Sequence, residues 1–274
     1  IYLEYCNKNI FTKNSIINHT GYTGIRLEEE SNNNKFYNNN LLNNDNGLSI
    51  YAGSDDNKVI GNKIIYSEYE GIYCHEVDNN SIRDNIIRNS GQEGIEFSHT
   101  NATICSRNNV SYNKYGIRVT QSNYTSISSN LILYNELSGA YFLSCYKTEV
   151  KENFIKNTTM GLQVQSCLKA NFFKNEILNI IGDGINLRYS QFANVSSNTL
   201  YSIESQGIYF QGNINSTITG NIISNCESYG IRLYDSNKSL ISENFVYNST
   251  LNGLYFTYSN ELQISRNNIS HNMV

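Results

Sequence analysis

Proline is missing from all 274 residues, which suits a chain whose interior strands need every backbone N–H for a hydrogen-bonded ladder. Charge is scarce: 16% of residues are Asp, Glu, Lys or Arg, the net charge is −4 and no basic cluster occurs. These features exclude nucleic acid as a partner. No apolar run approaches the roughly 20 residues needed to span a bilayer, so no membrane span is expected in this segment. The six cysteines include no C-x-x-C spacing, so they give no metal signature. Helix-length apolar patterns, hairpin turn signals, linkers and insertions long enough to form a lid are all lacking. Asn, Ser and Tyr are abundant instead. They make a neutral, hydrogen-bonding surface, better suited to sugars than to phosphates.

The dominant feature is a repeat. A Gly-apolar-x-apolar quartet begins at Gly24, Gly47, Gly71, Gly94, Gly116, Gly139, Gly161, Gly184, Gly207, Gly230 and Gly253, in steps of 22 to 24 residues. A fixed period of this size means a solenoid. A second column runs Asn14, Asn39, Asn62, Asn85, Asn108, Asn130, Asn153, Asn175, Asn198, Asn221, Asn244, Asn267, with an apolar residue three before and two after each Asn. Each repeat thus holds three short patches of period-2 alternation, and these read as strands. The expectation is an all-β, single-stranded parallel β-helix of about twelve coils of about 23 residues, three short strands per coil. The Asn column is expected to tolerate left-handed backbone at a sharp corner and to form a ladder of stacked amides. The quartet Gly is expected to serve either positive φ or close packing. Residues 1–274 are expected to form one β-helix domain. Both ends fall near repeat boundaries without an atypical repeat, so the expectation is a segment of a longer protein, with further β-helix or capping domains at both ends.

The GI-x-apolar … N-x-I … N pattern resembles the right-handed parallel β-helix repeats of the pectate-lyase-like superfamily, in the style of carbohydrate-binding, sugar-hydrolase and NosD-like segments. The resemblance implies the right-handed coil, in line with the general preference of parallel crossovers. It also implies that chemistry, if present, uses the outer face of one sheet. The calcium site of pectate lyases and the paired Asp motif of polygalacturonases are not recognisable here. No family catalytic residue is therefore carried over.

The quartet strands should bury Gly+1 and Gly+3 and expose Gly+2 and Gly+4. The exposed columns form a strip of ring, amide and guanidinium side chains. Its glycan-binding candidates are Tyr51, Tyr73, Tyr141, Tyr209, Arg232, Tyr234 and Tyr255. The fallback catalytic set is Tyr73, His75, Glu96 and Arg118. His75 or Glu96 would serve as acid or base, and Arg118 would pair with a uronate carboxylate. The plainer account of the same residues is an Arg118–Glu96 cross-strand ion pair with His75 merely exposed. No metal site or cofactor is expected. Ca²⁺ at the acidic corners Asp55-Asp56 or Glu28-Glu29-Glu30 is the minor reading, and His75 and His99 should point differently. Cys145 and Cys167 stack in successive repeats within disulfide range, but that column otherwise holds small residues, and small size is the favoured explanation. The function expected is an extracellular or cell-surface (or periplasmic) scaffold that binds a polysaccharide or surface glycan without catalysis. The alternative is a polysaccharide lyase, epimerase or hydrolase.

Overall fold

The computed structural model describes residues 1–273. These contain strands and turns and no helix, hence no helix long and apolar enough to cross a membrane. They fall into two compact units, Ile1–Glu136 and Leu137–Val274. In unit 1 six coils each contribute one strand to three sheets, and every pairing is parallel to the strand one coil later. The quartet sheet comprises Tyr2–Glu4, Ile25–Glu28, Leu48–Tyr51, Ile72–His75, Glu93–Ser98 and Tyr115–Thr120. Unit 2 repeats the arrangement in six further coils. Its quartet sheet comprises Ser138–Leu143, Met160–Gln165, Ile185–Arg188, Ile208–Gln211, Ile231–Tyr234 and Leu254–Thr257.

Because like residues return one coil later, each core column stacks its own kind. Ile72, Ile95 and Ile117 lie in register and are fully buried, as are Cys74, Phe97 and Val119. Removing this apolar surface from water gives about 25 cal/mol per Å², the main term holding the coils closed. The Asn column adds directionality. Asn62, Asn85, Asn108 and Asn130 pass Nδ2–H···Oδ1 bonds of 3.1, 2.9 and 3.0 Å up unit 1. Asn175, Asn198, Asn221 and Asn244 do the same in unit 2 at 3.0, 3.0 and 2.9 Å.

One expectation about backbone geometry is corrected and one is narrowed. The ladder asparagines do not carry the left-handed conformation. It falls on the residue before each, as at Asp84 (φ 57°), Arg107 (φ 54°) and Lys174 (φ 54°). The Asn side chain is then left to point inward along the axis, and the solvent-facing neighbour takes the conformational cost. The quartet glycines have no positive φ either. Their role is close packing: a Cβ on Gly71 would overlap Cγ2 of Ile87 and the carbonyl oxygen of Gly94. All six cysteines carry thiols, and Cys145 N–H donates to Sγ of Cys167 at 3.4 Å with no disulfide between them.

Candidate functional site

The outer side of the quartet sheet in unit 1 brings all four residues of the fallback set together. Parallel register places Tyr73 beside Glu96 and Glu96 beside Arg118, while His75 lies between Tyr51 and Ser98. The rings form a continuous row. Tyr51 meets Tyr73 edge-on at 5.4 Å, Tyr73 stacks on His75 at 5.8 Å with 17° between planes, and His75 meets His99 edge-on at 5.4 Å. The histidines therefore converge, contrary to the sequence expectation. His99 sits at a left-handed corner (φ 53°), which swings its ring back toward the strip.

Below this row lies an acidic cluster that period-2 alternation hid. Glu70 and Glu93 occupy the position before the quartet Gly. Strict alternation from Ile95 and Phe97 would turn Glu93 inward with them. The alternation breaks at the glycine, and the Glu93 carboxylate meets Nη1 of Arg118 at 3.0 Å on the outer side, with Glu96 at 3.7 Å from the same nitrogen. Carboxylate oxygens of Glu70, Glu93 and Glu96 all lie within 4.8 Å of one another. These three oxygens are the one group of metal-ligand type found among the described residues. The Arg118 cation already supplies compensating charge there. The signal that would have found Glu70 and Glu93 is the column one residue before Gly: Asn46, Glu70, Glu93, Tyr115.

Burial, then the Glu93 charge, pushes the Glu96 carboxyl up to about 7, against the pull of Arg118. Burial, again with Glu93, raises Glu70. Burial and the Glu96 charge hold the Tyr73 phenol up at about 12. Near neutral pH, then, Glu96 can give or take a proton, and Tyr73 stays protonated. The acidic corners are in use within the fold. Glu28 takes hydrogen bonds from Arg26 and Tyr2, and Asp55 accepts the backbone N–H of Asp78 at 2.7 Å.

In unit 2 the same sheet carries the other candidates. Tyr209, Arg232 and Tyr255 lie in register on successive strands, with Tyr234 one pleat along. The guanidinium of Arg232 lies 5.3 Å from the ring of Tyr209, 5.5 Å from Tyr229 and 5.9 Å from Tyr255, and the last two rings stack at 4.5 Å. Tyr229 was missed for the same reason as Glu93, since it precedes the quartet Gly. Tyr209, expected to be exposed, is nearly buried at 9%. Tyr141 stands in register with Gln163, half-buried on the first strand of this unit's sheet.

The family described as right-handed β-helix region matches residues 1–132, 101–221 and 161–274. The chain belongs to this family. Among solved structures, this β-helix is similar to a double mutant of the periplasmic alginate epimerase AlgG (14% identity over 96% of this chain and 69% of that one, TM-score 0.66). It is also similar to the mannuronan C-5 epimerase AlgE6 A-module of Azotobacter vinelandii (12% identity, 87% and 76% covered, TM-score 0.59) and to the Dettilon tailspike protein (13% identity, 91% and 61% covered, TM-score 0.68). At these identities the likeness is one of fold. No curated protein matches the chain.

Proposed function

We propose that the outer face of the quartet sheet is a polysaccharide-binding surface on a non-catalytic scaffold that works outside the cytoplasm, at the cell surface, secreted or in the periplasm. The observation that carries this reading is the ring row Tyr51, Tyr73, His75 and His99, the first three half-buried and the last exposed. Such rows offer flat apolar faces and polar edges at about one strand spacing, to which successive sugar rings can stack and hydrogen-bond. Fold neighbours named as epimerases of mannuronan and of alginate add support for a glycan ligand.

Catalysis on a polyuronate fits the cluster poorly. Arg118 is engaged by two carboxylates, and three glutamates in one spot repel a uronate anion. The second reading, a lyase, epimerase or hydrolase, is favoured by one observation: Glu96 is poised near pH 7 beside Tyr73, whose ring stacks on His75. Glycan-array binding by the full chain, with Tyr51→Ala and Tyr73→Ala variants, tests the first reading. Loss of binding without product formation supports it. Unsaturated or newly reducing ends from a polysaccharide panel, abolished in Glu96→Gln and His75→Ala, would overturn it in favour of the second.

A further inference from the structure

Most arginines that face the strip are answered from within the protein. Arg26 pairs with Glu28, Arg118 with Glu93 and Glu96, and Arg188 Nε donates to Asn186 Oδ1 at 3.1 Å. Arg232 is different. Among the described residues its side chain makes no ion pair and no hydrogen bond, and its Nε is walled off from solvent without an acceptor. The buried acid of the same unit is closed to it. Both carboxylate oxygens of the buried Asp183 are taken, by Asn186 at 2.6 Å, Ser205 at 2.8 Å and Gln206 at 3.2 Å. What surrounds Arg232 instead is three tyrosine rings within 6 Å. Arg83 and Arg88 also leave Nε unpaired, but neither has a ring set around it.

A planar cation held among ring faces keeps its orientation without spending its N–H donors. The two terminal nitrogens of Arg232 are neither bonded within the protein nor sealed off, so they remain for a ligand. The phenol hydroxyls of Tyr209, Tyr229, Tyr234 and Tyr255 likewise hold no hydrogen-bond partner in the protein, and none is buried without one. The chemistry that matches two unused guanidinium nitrogens, with unpartnered hydroxyls on the surrounding tyrosines, is an oxyanion.

We propose that Arg232, with Tyr209, Tyr229 and Tyr255 around it, is a subsite for an oxyanion substituent, a carboxylate or a sulfate ester, on the bound polysaccharide. This rests on the glycan-binding reading for the polymer as a whole, but the contact is local and belongs to unit 2, whereas the ring row belongs to unit 1. Net charge of −4 disfavours general attraction of polyanions, so affinity for one requires a local cation.

The test is affinity electrophoresis of the full chain against alginate and polygalacturonate (carboxylates), dextran sulfate (sulfate esters) and dextran (neutral), at low and physiological salt. Wild type is expected to be retarded by at least one anionic polymer, and the carboxylate and sulfate arms identify which group is read. Arg232→Met should weaken that retardation about tenfold or more, as for loss of a charge-assisted pair, and Arg232→Lys should recover only part. Equal urea midpoints for the two variants certify that both fold. Indifference of wild type to every anionic polymer, or full binding by Arg232→Met, overturns the proposal. If neutral-glycan binding is lost in Tyr51→Ala and Tyr73→Ala while Arg232→Met changes nothing, the ring row stands and the oxyanion subsite falls; the opposite pattern keeps the subsite and removes the row.

Discussion

Replacing Asn85 by alanine tests whether the ladder holds the coil or merely decorates it. The Asn85 side chain is 1% exposed and makes four hydrogen bonds. Its Oδ1 accepts the Asn62 backbone N–H at 2.8 Å and the Asn62 Nδ2–H at 3.1 Å; its Nδ2 donates to Asn108 Oδ1 at 2.9 Å and to the Val59 carbonyl at 2.8 Å. Alanine leaves some of these partners with other bonds: Asn62 Nδ2 keeps the Phe36 carbonyl, and Asn108 Oδ1 keeps the Asn85 backbone N–H. The Asn62 N–H loses the acceptor it has, and the Val59 carbonyl loses a donor. At about 1–3 kcal/mol for each buried group left unsatisfied, plus a small cavity, the loss should be roughly 3–5 kcal/mol. Urea unfolding followed by circular dichroism gives the value from the midpoint at constant slope. Asn85→Asp sharpens the test. Its carboxylate would keep the acceptor role but aim its second oxygen at two acceptors, Asn108 Oδ1 and the Val59 carbonyl. The folded state should therefore raise that carboxyl above its unfolded value near 4. A raised acid stabilises the fold below the unfolded pKa and loses this as pH rises, so Asn85→Asp should approach wild type in acid and fall away toward neutrality. A midpoint for Asn85→Ala within about 0.5 kcal/mol of wild type, the range of ordinary surface changes, would refute the reasoning.

Three further outcomes follow from the same contacts. Gly71→Ala should cost roughly 2 kcal/mol or more, because its methyl overlaps Ile87 and the backbone of Gly94; chemical denaturation against Gly53→Ala, where the added carbon meets only Glu30 Cγ at 3.9 Å, separates packing from the strain of positive φ. Arg118→Met should destabilise by about 3–5 kcal/mol at neutral pH by stranding the buried Glu93 carboxylate, with partial recovery on acidification, read as a pH series of urea midpoints. Glu96→Gln should flatten the pH dependence of stability: with its folded pKa at about 7 and its ordinary value 4.5, Glu96 favours the fold while protonated and loses up to about 3 kcal/mol of that as pH rises through 7, so the variant should gain on wild type between pH 5 and 8, and parallel curves would contradict the assignment.

The parts of the molecule legible in the residue order are those for which position in the repeat determines environment. Ile95 is buried because Ile72 and Ile117 are, and one column read correctly gives all its members. The strip followed from the same arithmetic: Tyr73, Glu96 and Arg118 are neighbours because all three stand two past a quartet Gly. What escaped were departures from ideal alternation. Glu70, Glu93 and Tyr229 stand one before the quartet Gly, where period 2 predicts an inward side chain, and the side chains of Glu93 and Tyr229 join the outer face. His99 escaped because corner geometry, not strand geometry, aims it. Placing the left-handed bend on the ladder Asn was a mistake about division of labour: an amide that must align with its copies above and below cannot also serve the corner, so Asp84, Arg107 and their equivalents do.

Those departures also decide how the face can bind. A strip built only from strict columns would present the same chemistry at every coil, since each position tolerates what its neighbours above and below tolerate. The residues before Gly break that uniformity, because they reach sideways into the strip without belonging to its stacking. In unit 1 they bring Glu93 against Arg118, where with Glu96 it consumes the charge, and add Glu70 to the same acidic cluster. In unit 2 they bring Tyr229 against Arg232 and leave its charge available. The same arginine at the same repeat position thus has opposite electrostatic character in the two units. A ligand that followed aromatic rows alone would not distinguish them, whereas an acidic one should be repelled at Glu96 and held at Arg232. Exchanging the two contexts, with Glu93→Gln and Glu96→Tyr in unit 1 to match Gln206 and Tyr209 at the same repeat positions in unit 2, should release Arg118 from both carboxylates and create binding of anionic polymers there even in an Arg232→Met background; no binding by a folded variant would refute this account of why the two arginines differ.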